Sequence, residues 1–160
     1  MNLQALVSVD VLRVDVSVRS KKHAIEMAAG LLAGELEDVS ANRLFDALIA
    51  RERLGCTALG RGVALPHAAI DGIEHSVGCV LKFADPIRFD DDDPTPVSLI
   101  FALVVPGRTQ GANNDDLQLA CDFLSQGEHR RALLAAATPE DMFAALASAD
   151  EPPLREATGR

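Results

Sequence analysis

The stretch Pro96-Val97-Ser98-Leu99-Ile100-Phe101-Ala102-Leu103-Val104-Val105-Pro106 is the most continuous apolar run in the chain. Its β-branched residues and bounding prolines mark it as a strand rather than a helix. It shows no polar alternation, so both of its faces need cover, and it predicts a central strand buried between layers. The remaining pattern supplies those layers. Arg13 to Arg19 alternates strictly, with Val14, Val16 and Val18 on one face of a half-buried strand. Ser20 caps a helix with Ile25, Ala28, Ala29, Leu32 and Leu36 at helical spacing. Ser40 caps a second, with Leu44, Phe45, Leu48 and Ile49 inward and Gly55 as its stop. Ser76 to Phe83 is a further strand. Three helices follow the central run. One starts at Asn113–Asp116, with Leu117, Ala120, Cys121 and Leu124 inward. The next lies over 128–137, with Ala132, Leu133 and Ala136 inward. The last starts at Thr138-Pro139-Glu140-Asp141, with Met142, Phe143 and Leu146 inward. Residues 1–13 read as a loosely docked lead-in. Ala84-Asp85-Pro86-Ile87, the acidic run Asp90–Pro94 and Gly107–Ala112 read as turns and connections. The expected fold is α/β: a single layered domain over residues 1–149, its central mixed β-sheet flanked by helices. Residues 150–160 are expected to form a disordered tail.

The candidate chemistry lies in Leu59-Gly60-Arg61-Gly62-Val63-Ala64-Leu65-Pro66-His67-Ala68. Gly60 and Gly62 can adopt positive φ and bring backbone N–H groups close to a ligand. Val63-Ala64-Leu65 is a short buried strand. Pro66 fixes its own φ and holds Leu65 extended, so His67 is presented at a strand end with little backbone freedom. On the residues alone two readings stand: a turn, a strand and a structural histidine, or an imidazole nucleophile, which needs a neutral attacking nitrogen, an acceptor on the other nitrogen and donors for transferring oxygens. Backbone amides around Gly60 to Gly62, the Thr57 hydroxyl and the guanidinium of Arg51 or Arg61 are the available donors. Arg51 alternatively serves the C-terminal end of its helix dipole.

Two segments carry a family resemblance. Arg51-Glu52-Arg53-Leu54-Gly55-Cys56-Thr57 has the form Arg-Glu-x-x-Gly-x-Thr, and Gly60 to His67 has the form Gly-x-Gly-x-Ala-x-Pro-His. In this order and spacing they resemble the phosphorylation-site segment of the phosphotransferase-system enzyme IIA domains of the fructose/mannitol type, nearest their nitrogen-regulatory branch. The likeness runs from about Ser20 to Ser148. It implies that His67 accepts a phosphoryl group from a histidine phosphocarrier protein, with Arg51 beside it, and that phosphorylation state regulates partner proteins. It implies no cofactor. Such domains commonly carry a second histidine at the start of the helix after the central strand. Aligning that helix through Leu117-Gln118-Leu119 puts Asp115 at that place, preceded by Asn113 and Asn114. A carboxylate about 4 Å from a phosphoryl group opposes it by about 1–4 kcal/mol per charge pair. The alternative is therefore a signalling module of the same fold that binds partners without efficient phosphotransfer. Cys56 and Ala58 stand where Ser and Gly are usual.

Other classes fit less well. The net charge of −9 and the 4% aromatic content leave neither a basic stripe nor stacking residues for nucleic acid. No apolar run approaches the roughly eighteen residues of a membrane span, and residues 1–4 lack the character of a signal peptide. Cys56, Cys79 and Cys121 are scattered and not in Cys-x-x-Cys form, which fits a reduced, cytoplasmic protein. No histidine or cysteine spacing suggests a metal site, and the Asp90–Asp93 run lacks the Gly and Glu of a calcium loop. A small-molecule binder or hydrolase at His67 would lack a nucleophile-elbow motif. His23 and His129 are expected on the surface, whereas His75 is close enough in sequence to approach His67.

Overall fold

The structure, a computed structural model, describes residues 2–90, 95–107 and 114–147. The expected tail over 150–160, most of the acidic run, residues 108–112 of the connection and Asn113 lie outside the described residues. Among the described residues are six strands and five α-helices in chain order. These are β1 (Leu12–Val16), α1 (Lys21–Gly34), α2 (Ala41–Leu54), β2 (Ala58–Gly60), β3 (Val63–Ala64), β4 (His67–Ile70), β5 (Val77–Ile87), β6 (Val97–Pro106), α3 (Asn114–Ser125), α4 (Gly127–Ala135) and α5 (Pro139–Leu146). The strands form one mixed sheet in the order β1-β5-β6-β3-β2, with β4 also paired to β6. The expected α/β layered architecture is the one observed.

β6 is the centre, as its composition requires. Every residue from Val97 to Pro106 except Ser98 is buried. It runs antiparallel to β5 on one side and parallel to β3 and β4 on the other. β3 and β4 are two halves of one line. Val63 faces Leu99 and His67 faces Leu103, the same offset of 36 positions (99 − 63 and 103 − 67). The ladder lapses only at Leu65-Pro66, where proline has no N–H to give. His67 is thus at a strand end, as the first residue of β4, where the line resumes after this interruption.

The helix caps follow the sequence. Ser20 accepts a hydrogen bond from the His23 N–H, Ser40 from Arg43 and Thr138 from Asp141. α1 packs on α2 and β5, α2 on β4, α3 on β6 and α5 on β1. Three expectations need correction, and one strand was not expected. The lead-in expected to dock loosely is firmly docked over residues 2–13: Leu3, Leu6, Val7 and Val11 are buried core residues, and the Gln4 amide donates to the Phe143 carbonyl at 2.8 Å. β5 continues through Ala84-Asp85-Pro86-Ile87, because an irregularity after Lys82 admits the proline before Ile87 pairs with Val97. β4 was too short and too alanine-rich to show as a strand. Ala132 is exposed, since the inward stripe of the short α4 passes through Arg130 and Leu133.

Candidate functional site

The glycine stretch forms a hairpin rather than a cradle. β2 and β3 are antiparallel, and Arg61 and Gly62 between them have φ of 60° and 91°. Positive φ at both turn residues is the two-residue hairpin geometry that matches strand twist. The Gly62 carbonyl accepts hydrogen bonds from the Ser98 and Leu99 N–H groups, which fastens the turn to β6. Gly60, Arg61 and Gly62 do not line the depression around His67. Their placement makes them turn residues that fix where the following strand begins.

That depression holds about 270 Å³ and is lined by Arg51, Cys56, Thr57, Ala58, Leu59, Leu65, His67, Leu117, Gln118 and Cys121. Three elements meet here: the end of α2 with the segment after it, the broken β3–β4 line, and the first turns of α3. His67 is half-buried, and its Nδ1 lies 2.9 Å from the Leu65 carbonyl oxygen. A carbonyl can only accept, so the neutral ring carries its proton on Nδ1 and leaves the Nε2 lone pair free. The bond to β6 at this point is made by the Pro66 carbonyl, which accepts the Leu103 N–H at 2.9 Å, and the Thr57 N–H goes to Glu52, so the Leu65 carbonyl is left for His67.

Arg51 lies at the end of α2, and one of its guanidinium N–H groups donates to the Gly55 carbonyl at 2.9 Å. Arg51 thus closes the helix end and also lines the depression. Thr57 is buried, and its hydroxyl donates to Glu52 Oε1 while its N–H donates to Glu52 Oε2 at 3.2 Å. The Thr57 hydroxyl proton is thus already committed. Cys56 accepts a hydrogen bond from the Ala58 N–H, and burial raises its thiol pKa despite the opposing pull of that N–H and of Lys21. At neutral pH Cys56 is a protonated thiol, which leaves His67 as the nucleophile on this wall.

α3 faces the depression with Leu117, Gln118 and Cys121, whereas Asp115 is exposed in its first turn and is not part of the lining. The side-chain amide of Gln118 donates to Asp122 at 2.8 Å. Sequence reasoning assigned no role to Glu52, Gln118 or Cys121. Glu52 stood in the open within the Arg-Glu-x-x-Gly-x-Thr segment, but its burial is a product of the tertiary fold. His75 is exposed in the turn after β4, at the opposite end of that strand from His67. His23 Nδ1 accepts from the Arg19 N–H, and His129 is half-buried and stacked on Phe123 with ring centroids 4.2 Å apart. No group of three metal-ligating side chains occurs among the described residues. Nor is any described helix long and apolar enough to cross a membrane.

Comparison with known proteins places this geometry in context. The profile of the family described as phosphoenolpyruvate-dependent sugar phosphotransferase system, EIIA 2, matches residues 5–149. The nitrogen regulatory protein of Pseudomonas aeruginosa is 35% identical over 130 residues, spanning 81% of this chain and 84% of its own. The crystal structure of nitrogen regulatory protein IIA-Ntr from Neisseria meningitidis superposes with a TM-score of 0.80 at 34% identity, covering 90% of this chain and 98% of that one. The 2-O-α-mannosyl-D-glycerate-specific EIIABC component of Escherichia coli is 29% identical over 148 residues, which are 91% of this chain and 22% of that protein.

Proposed function

The chain belongs to the EIIA 2 family of the phosphoenolpyruvate-dependent sugar phosphotransferase system, and from that membership we propose that it is a phosphocarrier with a regulatory output. His67 accepts a phosphoryl group from a phosphohistidine carrier protein, and the phosphorylated and free forms engage regulatory targets differently. The observation that carries this reading is the Nδ1–Leu65 contact at 2.9 Å, which supports an unprotonated Nε2 on a histidine that lines the depression. In the transfer, the Nε2 lone pair forms the new N–P bond. The donor's N–P bond breaks, with its electron pair returning to the donor nitrogen. The Nδ1 proton stays on His67, and the Leu65 carbonyl stabilises the cationic phosphoimidazole. Arg51 retains guanidinium N–H groups beyond the one bound to Gly55 and supplies charge for the transferring oxygens. Nothing in this step requires a metal or cofactor.

A second reading, partner binding without efficient turnover, draws support from the committed Thr57 hydroxyl and from a lining in which His67 is the single histidine. One experiment separates the two. The protein is incubated with phosphoenolpyruvate and a phosphorylated carrier system, and its intact mass is followed with time. Stoichiometric gain of one phosphoryl group, lost on mild acid treatment, supports the phosphocarrier. A protein that binds the carrier but gains no mass supports the binding module.

A further inference from the structure

Behind the depression, a run of bonded groups connects the start of α1 to the His67 ring. Lys21 is the first residue of α1, and its Nζ lies 2.7 Å from Glu52 Oε2 and 4.8 Å from the centre of the Phe89 ring. A cation at a helix N-terminus opposes the helix dipole, so the helix itself gives no reason for it. Glu52 supplies one. Its side chain is only 4% exposed, and a carboxylate so buried must be paired and hydrogen-bonded. It receives Lys21 and both donors of Thr57. Thr57 passes the constraint on, because its carbonyl accepts the Leu65 N–H at 3.0 Å. Leu65 is the residue whose carbonyl holds His67 Nδ1.

We propose that Glu52, charge-paired with Lys21, is a positioning residue for His67: through Thr57 and Leu65 it fixes the Nδ1-protonated tautomer and the direction of Nε2. Stability alone does not call for this arrangement, since a buried ion pair is often no better than well-packed apolar residues. Direction does. The two Glu52 oxygens bind the N–H and O–H of one residue and so fix both its backbone and its side chain. Pro66 keeps one bond to β6, its carbonyl accepting the Leu103 N–H at 2.9 Å, while Leu65 is held on the other side by its N–H bond to Thr57. The consequence for rate rests on the phosphocarrier reading, whereas the consequence for the tautomer does not.

The test is nitrogen NMR of the His67 imidazole in the wild type, Glu52→Gln and Lys21→Met, with amide spectra to confirm folding and labelling rates from a phosphorylated carrier. Glu52→Gln puts an NH2 group where acceptors are needed. It is expected to move neutral His67 from one dominant tautomer towards a mixture. Labelling should fall roughly tenfold at an unchanged half-saturating carrier concentration. Lys21→Met should shift both readouts in the same direction by less. Folded variants that keep the wild-type tautomer overturn the proposal. Should Glu52→Gln not fold, Lys21→Met and Thr57→Val decide it by the same readout. A wild type that never becomes labelled removes the phosphocarrier reading, while its tautomer, compared with the variants', still decides the role of Glu52.

Discussion

At the scale of single residues, the site is defined by which protons and lone pairs are already used. The His67 Nδ1 proton, the Thr57 hydroxyl proton and one Arg51 N–H all have partners, so under the proposed function it is Nε2 and other Arg51 N–H groups that would meet a phosphoryl group. His67→Ala should therefore abolish labelling, while His75→Ala should not, as intact mass will report; labelling that survives His67→Ala would sink the assignment. Arg51→Gln should lower the labelling rate by roughly ten- to a hundredfold with the fold retained, since it removes the charge facing the phosphoryl group. Asp115 is exposed and is not among the residues that line the depression, so little effect on transfer is expected from its charge. Asp115→Asn should change the labelling rate less than about twofold. The thiols give an independent check. Cys79 is fully buried, and burial pushes its pKa up from 9.0 to about 12. The folded state thus favours the neutral thiol. This contribution is intact below pH 9 and is lost as pH rises from there towards 12. In the folded protein at pH 8, iodoacetamide should spare Cys79 while modifying the half-buried Cys121, which peptide mapping will resolve.

At the scale of elements, glycines with similar spelling do different work. Gly62 turns the hairpin at φ 91°, and an added Cβ would meet only the Pro96 carbonyl oxygen at 3.9 Å. Gly62→Ala should cost about 1–2 kcal/mol through backbone conformation alone. Gly78 lies in β5, where an added Cβ would come within 2.8 Å of the Phe101 ring. Gly78→Ala should cost about 1–3 kcal/mol through overpacking. A urea series separates them, because trimming Phe101 to Leu should relieve the second penalty and leave the first. These cases also mark how far the sequence could be read. The Pro96–Pro106 run and the Ser20, Ser40 and Thr138 caps act locally or through plain burial, and all were legible. That His67 and Arg51 come together was legible from their segments, and both line the depression. The glycine stretch was legible as a turn, but its role was not: whether a loop amide faces a ligand or a neighbouring strand depends on β6, which lies more than thirty residues away in sequence. Glu52 and Gln118 were hidden for the same reason, since only the docking of α1 and α3 gives each its surroundings.

At the scale of the whole molecule, the least expected feature is how much of the core the first residues complete. The segment before β1 contains two short 3-10 turns, and Leu3, Leu6, Val7 and Val11 from it are buried. Local pattern concealed this, because single polar residues between them break any helical or strand period. The segment packs on α3 and α5, and Val7 reaches the position beside Gly78 where β5 passes. Burying four such side chains contributes about 1.5–3 kcal/mol each, or about 6–12 kcal/mol together. That is comparable with the entire stability of a domain, about 5–15 kcal/mol. Removing residues 2–11 should thus leave the chain largely unfolded at room temperature, even though His67 and its surroundings are untouched in sequence. The milder Leu3→Ala should lower stability by about 2–5 kcal/mol and leave the His67 tautomer unchanged, because among the described residues no hydrogen bond or ion pair joins that segment to the Glu52–Thr57–Leu65 run. Circular dichroism melts of both variants check this. A truncated protein that melts cooperatively within a few degrees of the intact one would mean that the segment covers the core without supporting it.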